Sequence, residues 1–290
     1  MKVNKRREAM MEAVLHGMTD VSALCSHFGM SEATVRRDLA ALASDRRIFR
    51  TYGGAAAVGA SEHEPSLDER SQTWQEEKEA IALAAFAHIA DGDTIYLDGG
   101  TTTAALARHL SKRTALQVVT NNLLVLSSLA GSGIHVTVIG GDLRPSSMST
   151  MGPLAQMALS RISVNKAFLG ADGVVAGLGL CEASAEQAYL KECVIRQAAE
   201  VFVLAASDKI GRASQQHWTP IDREWTLITD AGTPDNERVP FEALDDVSVE
   251  VVALPAKTSA AGAGAGATMG ASGSADAARA AGESGARAHA

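Results

Sequence analysis

The stretch from Val21 to Ala57 constrains the fold of this chain more than any other. It contains two short helical patterns separated by a tight turn at Gly29, followed by alternating basic and apolar residues that end at Gly53-Gly54. A further helix is predicted upstream, from Lys5 to Leu15. Helix, turn, helix and a short β-ribbon is the order of a winged helix-turn-helix, in which the second helix enters the major groove of DNA.

The second helix of this motif, termed the recognition helix, can be oriented from its own residues. It begins after Ser31, whose hydroxyl suits an N-cap. Its apolar stripe consists of Val35, Leu39 and Leu42. Arg37 faces away from that stripe, with Thr34 and Arg36 on the flanks. Such a face can bind base edges and phosphates, or it is simply a solvated helix surface. The candidate DNA-binding residues of helix and wing are Ser31, Thr34, Arg36, Arg37, Arg46, Arg47 and Arg50.

The remainder of the chain alternates between strand and helix patterns. The predicted strands are Thr94–Leu97, Gln117–Thr120, His135–Ile139, Lys166–Leu169, Val201–Ala205, Thr226–Thr229 and Ser248–Ala253. The predicted helices are Glu76–Ile89, Thr102–Leu110, Leu123–Leu129, Pro153–Leu159 and Ser184–Ala198. This alternation indicates parallel crossovers and a Rossmann-like sheet. Ligands of such sheets bind at the carboxyl ends of the strands.

The loop from Asp98 to Thr103, Asp-Gly-Gly-Thr-Thr-Thr, has the composition of a phosphate site. It follows a predicted strand and opens a helix. Its glycines allow close backbone approach, and free N–H groups at a helix start attract anions. Since no Gly-Lys-Ser/Thr follows, the loop is not a Walker motif and does not imply nucleotide hydrolysis.

Polar residues follow the other predicted strands and should converge with this loop. Asn121 offers an amide for sugar hydroxyls, whereas Asn122 can equally be a helix N-cap. Lys209 can face a phosphate or remain a solvated lysine. Lys166 begins a strand, at the wrong end of the sheet, and is interpreted as structural. The candidate effector-binding residues are Asp98, Gly99, Gly100, Thr101, Thr102, Thr103, Asn121, Arg144, Asp172, Glu182 and Lys209.

Several separated motifs resemble those of one family. They are the runs SEATVRRDLAAL, IFRTYGGA, YLDGGTTTAALARHL, VVTNNLLV, GGDLRPSSMSTMGPLA, NKAFLGADGV and AASDKIG. Together they resemble the motifs of DeoR-type bacterial transcriptional regulators over roughly residues 1–255. Tyr52 and the run Asp45-Arg46-Arg47 depart from the usual wing pattern. The resemblance implies a sensor domain with the fold of ribose-5-phosphate isomerase and coenzyme A transferases, controlled by a phosphorylated sugar.

The charge distribution and composition divide the chain into four parts. Residues 1–54 carry nine Lys/Arg and six Asp/Glu, a net +3, whereas the whole chain carries −8, so the rest carries −11. A basic unit on an acidic body favours DNA contact at one end. We predict a DNA-binding domain at 1–57, a polar linker at 58–75, a sensor at 76–255 and an Ala/Gly-rich disordered tail at 256–290. Trp74 is interpreted as a packing anchor between linker and sensor.

The function predicted is a DNA-binding regulator, a repressor of a carbohydrate-utilisation operon that a phosphorylated sugar controls. Its expected partners are double-stranded operator DNA, the sugar phosphate and further copies of itself, as a dimer or tetramer. One alternative is a sugar-phosphate isomerase-like enzyme with Asp172 and Glu182 as a carboxylate pair. Another is a DNA-packaging protein without effector. The fused DNA-binding unit argues against the first and the strand-end loops against the second.

Cofactors, metals and membranes are not expected. Cys25, Cys181 and Cys193 are isolated, and the histidines form no metal-binding motif. No apolar segment approaches the roughly 20 residues of a membrane helix, and the N-terminus lacks a signal-peptide pattern. The sequence therefore predicts a cytoplasmic protein that is not an enzyme.

Overall fold

The computed structural model describes residues 3–15, 18, 20–45, 47–51, 54–57, 64–213 and 215–254. The helices are α1 Val3–Leu15, α2 Val21–Phe28, α3 Glu32–Ser44, α4 Leu67–Gln72, α5 Gln75–Ala87, α6 Thr101–Ala107, α7 Leu126–Leu129, α8 Pro153–Leu159, α9 Ala185–Gln197 and α10 Asp235–Glu242. The strands are β1 Ile48–Thr51, β2 Gly54–Ala57, β3 Thr94–Leu97, β4 Gln117–Thr120, β5 His135–Val138, β6 Asp142–Arg144, β7 Ser149–Met151, β8 Val164–Leu169, β9 Gly173–Val175, β10 Gly179–Glu182, β11 Ala198–Leu204, β12 His217–Thr219, β13 Trp225–Asp230 and β14 Val247–Val252.

The N-terminal part consists of three helices and an antiparallel hairpin, as the sequence predicts. Asp20 caps α2 by accepting from the Ala23 N–H at 2.8 Å, and Gly29 ends it at φ +63°, where glycine carries no steric penalty. The hairpin pairs β1 with β2, so Gly54 lies in a strand rather than in the turn. The core of this part is formed by Met10, Val14, Val21, Leu24, Val35, Leu39, Leu42, Ile48 and Ala55.

A seven-stranded parallel sheet forms the centre of the larger part. Its strand order is β14-β13-β11-β8-β3-β4-β5, and these are the seven strands predicted from sequence, with ends shifted by up to three residues. One buried apolar cluster includes Tyr96, Leu169 and Val203; the other includes Phe168 and Phe202, whose rings stack at 5.0 Å. The chain runs outward from β3 through β4 to β5, and in the opposite direction from β8, so the topological switch point lies between β3 and β8.

Some elements were not predicted. The helix α4 lies inside the segment interpreted as a linker and has no buried residue, so no apolar stripe marks it. It begins with a capping box between Ser66 and Glu69. Helix α10 is polar and contains Pro240, and the ribbon β6–β7 and the sheet β12-β10-β9 consist of three- and four-residue strands.

Some expectations lie outside the described residues. The tail at 256–290 and linker residues 58–63 are among them, so the four domain boundaries stay predictions. None of the helices in the described part of the chain combines the length and apolar character needed to cross a membrane. Within those residues no cluster of His, Cys, Asp and Glu could hold a metal ion.

Candidate functional site

A cavity of about 250 Å³ opens at the switch point of the sheet. The loops that follow β3, β8 and β11 line it, together with α9 and the α4–α5 segment. Of the predicted effector residues, the cavity lining includes Gly99, Gly100, Thr101, Thr102, Thr103, Asp172, Glu182 and Lys209. The parallel sheet therefore brings together residues more than 100 positions apart in the chain, because its strands all end at one edge.

Glycine geometry and hydrogen bonds, some of them from Asn122, fix the backbone of the loop after β3. Gly100 adopts φ +142°, which favours glycine. A Cβ on Gly99 would approach the Ser149 Cβ to 2.9 Å. The Thr103 hydroxyl is buried and donates to the Asp98 carbonyl at 2.6 Å, so it is engaged within the loop. Asn122 donates from Nδ2 to the carbonyls of Asp98 and Gly100, at 3.0 and 2.9 Å. Thr101 and Thr102 are only half-buried.

Cationic side chains line one wall of the cavity. Lys78, Lys209 and Arg212 contribute, from α5 and the loop after β11. Burial lowers the pKa of Lys78 to about 8; Lys209 and Arg70 add to this shift, whereas Asp208 opposes it. The Lys209 ammonium lies 3.9 Å from an oxygen of Asp208. This wall is therefore suited to an anion.

A buried charge cluster also borders the cavity, through Glu182 and Lys191. The Lys191 ammonium contacts Asp98 Oδ2 and lies 3.2 Å from Glu182 Oε1, and all three side chains are nearly inaccessible to solvent. Burial raises the pKa of Glu182 to about 8; Asp172 and Asp98 add to the shift and Lys191 opposes it. Burial alone would lower the pKa of Lys191, but the charges of Asp98 and Glu182 outweigh it and raise that pKa. Asp172 accepts from the Ala183 N–H at 3.2 Å.

Three predicted effector residues, Asp98, Asn121 and Arg144, lie outside the lining. Asn121 is buried, accepting from the Tyr96 hydroxyl at 2.9 Å and donating to the Thr150 carbonyl at 3.1 Å. Arg144 forms a bidentate pair with Glu64, with Nη1 to Oε1 at 2.9 Å. Asp98 lies beneath the loop as a partner of Lys191 and accepts from the Gly170 N–H at 3.1 Å.

Several lining residues were missed by the sequence interpretation. They are Arg70, Trp74, Lys78, Gln187 and Lys191. Lys78 follows Glu77 in the first part of α5, and no sequence motif described above marks it. Trp74 is not a buried packing anchor as expected. It is 42% exposed, adopts φ +55° at the start of α5 and belongs to the cavity lining.

The recognition helix corresponds to α3. Val35, Leu39 and Leu42 are fully buried, as predicted, and Arg36 and Arg37 are exposed. Arg36 pairs with Glu32 at 2.7 Å, whereas no described residue forms an ion pair with Arg37. Ser31 occupies the N-cap position, but the predicted cap bond is wrong: its hydroxyl lies 3.0 Å from that of Thr34 instead of meeting a backbone N–H.

The candidate residues of the wing are only partly described. Arg47 is half-buried before β1. Arg50 lies in β1, opposite Ala55, and Arg46 lies outside the described residues. The wing hairpin itself is present, with β1 paired to β2 from Ile48 to Thr51.

An unpredicted carboxylate anchors the recognition helix. Asp38 is 1% exposed and accepts from Arg6 Nε at 2.6 Å and from Arg7 Nε at 3.1 Å. Burial alone would raise the pKa of Asp38, but the hydrogen bonds from Arg6 and Arg7 lower it. This pairing fixes α3 against α1. It also engages Arg6 and Arg7, which the net charge of residues 1–54 counts towards DNA contact.

The comparisons with known proteins agree with both parts. A family model described as the DeoR C terminal sensor domain matches residues 73–231, and one described as the DeoR-like helix-turn-helix domain matches residues 6–60. The uncharacterized HTH-type transcriptional regulator YulB of Bacillus subtilis is 34% identical over 88% of this chain and 98% of its own. The glycerol-3-phosphate regulon repressor of Escherichia coli K12 is 31% identical over 81% of this chain and 93% of its own.

Two further similarities are more limited. A putative aga operon transcriptional repressor of Escherichia coli O157:H7 is 30% identical over 86% of this chain and 93% of its own. Among solved structures, ribose 5-phosphate isomerase A of Methanocaldococcus jannaschii matches 47% of this chain and 55% of its own, with 20% identity and a TM-score of 0.35. That structural likeness is too slight to bear on activity.

Proposed function

Because the chain belongs to the DeoR family of transcriptional regulators, we propose that it represses a carbohydrate-utilisation operon and releases DNA when a phosphorylated sugar binds its sensor. The observation that carries this proposal is the cavity at the switch point, where a glycine-rich loop faces Lys78, Lys209 and Arg212. Relatives named as repressors of a glycerol-3-phosphate regulon and an aga operon support the same ligand class. Family membership also makes it a regulator rather than an isomerase.

The phosphate is proposed to lie between the Gly99–Thr103 loop and the cationic wall. Backbone N–H groups and the Thr101 and Thr102 hydroxyls donate from one side, and Lys209 and Arg212 from the other. A phosphate accepts several such charge-assisted bonds at once. The cavity volume of about 250 Å³ lies below the roughly 300–1,000 Å³ of drug-sized sites, which favours a compact sugar monophosphate over a nucleotide.

Operator contact is assigned to the exposed face of α3 and to the wing. Arg37 has the freest approach to a base edge, and Thr34 and Arg36 flank it. The wing residues Arg46, Arg47 and Arg50 are proposed to bind the DNA backbone, which would fix the register of the helix. One such unit recognises a half-site, so we propose a dimer or tetramer on half-sites about 10 bp, or a multiple, apart.

Control by the effector requires a route from the cavity to the segment that leads to the DNA-binding part. Arg70 lines the cavity, and its guanidinium lies 3.4 Å from Glu64, which also binds Arg144. Burial alone would raise the pKa of Glu64, but Arg144 and Arg70 lower it, so this carboxylate is held as an anion. We propose that an effector phosphate draws Arg70 away from Glu64 and so alters the segment around it.

The test is a titration of operator DNA with full-length protein, with and without a panel of aldose and ketose monophosphates. A coupling of about 1–3 kcal/mol would change operator affinity roughly 5- to 150-fold. Thr102→Asp places a negative charge in the proposed phosphate seat and should abolish this response. A Thr102→Asp protein that still releases DNA with the wild-type dose response would show that the seat lies elsewhere.

A further inference from the structure

Two residues that line the cavity carry buried acceptor oxygens, Oε1 of Gln187 and Oε1 of Glu182. Gln187 Oε1 has no hydrogen-bond partner among the described residues. Glu182 is 2% exposed, and its Oε1 lies in an ion pair 3.2 Å from the Lys191 ammonium. A buried acceptor without a donor is unfavourable, so Gln187 Oε1 indicates where a ligand donates.

Gln187 lies on the same face of α9 as Lys191, because the two residues are four positions apart. The Lys191 ammonium is already engaged by Asp98 and Glu182, whereas the amide oxygen of Gln187 is unpaired among the described residues. The lining thus combines two chemistries: the cations Lys78, Lys209 and Arg212, and the acceptors of Gln187, Glu182 and Asp172.

We propose that Gln187 is a specificity-determining residue, which together with Glu182 accepts hydrogen bonds from hydroxyl groups at the end of the effector farthest from its phosphate. The ligand class is then a phosphorylated sugar or polyol with hydroxyls on its distal carbons. Ligands with only carbonyl or apolar groups there leave the Gln187 acceptor unpaired and are discriminated against. This inference rests on the proposed function, because it takes the phosphate to lie on the cationic wall.

The test compares sugar phosphates with inorganic phosphate on the same variant. Calorimetric titrations of the full chain would use glycerol 3-phosphate, D-fructose 6-phosphate, D-ribose 5-phosphate, 2-deoxy-D-ribose 5-phosphate and inorganic phosphate. Gln187→Met keeps the side-chain length and removes the acceptor. It should weaken the tightest sugar phosphate roughly 5- to 20-fold, as expected for one lost hydrogen bond, and change inorganic phosphate less than about twofold.

Two matched variants complete the design. Glu186→Gln lies on the neighbouring, exposed position of α9 and should leave every affinity at the wild-type value. Glu182→Gln should reduce the discrimination between D-ribose 5-phosphate and its 2-deoxy form, which lacks one distal hydroxyl. Thermal unfolding of each variant verifies that it is folded before the affinities are compared.

The outcomes separate this inference from the proposed function. Sugar phosphates that bind wild type and Gln187→Met equally well would overturn the role of Gln187 but leave the proposed function intact. An equal loss for sugar phosphates and inorganic phosphate would also overturn it, because the residue would then act on the whole cavity. If no sugar phosphate binds wild type more tightly than inorganic phosphate, the proposed function fails and this inference fails with it.

Discussion

The recognition helix and the sensor cavity place their charged groups in opposite environments. On α3, Arg36 is 50% exposed and pairs with Glu32 on the same helix. In the cavity, Lys191 is 5% exposed and pairs with Asp98, which follows β3, and with Glu182 in β10 of the smaller sheet. Charges on an exposed face are solvated in the folded and unfolded chain alike, whereas buried charges depend on their partners.

This difference determines which residues can change independently. A substitution on the exposed face of α3 should alter the proposed DNA contacts and leave the underlying apolar stripe in place. A substitution in the buried cluster should alter the proposed ligand contacts and folding together, because the same residues are assigned to both. The DNA specificity of such a regulator should therefore change more easily than its effector specificity.

The largest expected effect concerns the buried charge cluster around Lys191. Lys191→Met removes the cation shared by Asp98 and Glu182, and breaking a buried ion pair costs about 3–5 kcal/mol. Chemical denaturation should show this loss as a lower midpoint. Lys166→Met is the matched control. Lys166 lies at the other end of the sheet and is interpreted from the sequence as structural. It pairs with Asp93 at 2.7 Å and is partly exposed. An equal loss of stability in both variants would mean that the deeper burial of Lys191 makes no difference to what its ion pairs contribute.

The second effect tests the exposed extreme. Arg37→Ala should weaken operator binding by roughly 1–3 kcal/mol and leave the free energy of unfolding within about 0.5 kcal/mol of wild type. Fluorescence anisotropy at fixed salt measures the first quantity and denaturation the second. Unchanged operator affinity would count against the placement of Arg37 on DNA.

The third effect concerns the pair formed by Arg144 of the sensor and Glu64, which lies between the two regions along the chain. Arg144→Gln or Glu64→Gln should reduce the ratio of operator affinities measured without and with effector, by up to the whole coupling of about 1–3 kcal/mol. Effector affinity should change less, since neither residue lines the cavity. A wild-type ratio in both variants would exclude the proposed route through Glu64.

The smallest effect concerns Lys78, a half-buried cation between the two extremes. Its pKa of about 8 means that it loses its charge as the pH rises through 8. A bound anion favours the ammonium and raises that pKa, so binding takes up a proton and affinity falls above pH 8, by at most about tenfold per pH unit. Lys78→Arg, which stays charged, should flatten the profile between pH 7.5 and 9.5. A wild-type profile already flat there would mean that the anion does not contact Lys78.

The sequence predicts the sheet well, because each central strand is a short run of β-branched and aliphatic residues bounded by turn signals. The sequence also predicts that the strand-end loops lie close together, since parallel strands end at one edge of the sheet. It cannot locate contacts that join distant segments. Arg144 follows a strand and looks available for an anion, yet its partner Glu64 lies 80 positions earlier.

Lys191 illustrates the second limit. Helix α9 is rich in polar residues, and its sequence alone does not tell which of them face the sheet. Its buried side combines Lys191 with apolar neighbours, a mixture that a search for an apolar stripe interprets as solvent-facing. Only the positions of Asp98 and Glu182, 93 and nine residues away along the chain, make a buried lysine favourable.

The placement of Trp74 makes the cavity optically accessible. The chain contains three tryptophans; Trp225 is 7% exposed and packs edge-on against Phe241 at 6.2 Å, whereas Trp74 is 42% exposed at the cavity rim. Indole emission shifts to shorter wavelength when water leaves its surroundings. Occupancy of the cavity can therefore be followed through the native chromophore, and Trp74→Phe separates its signal from those of Trp218 and Trp225 without attaching a dye.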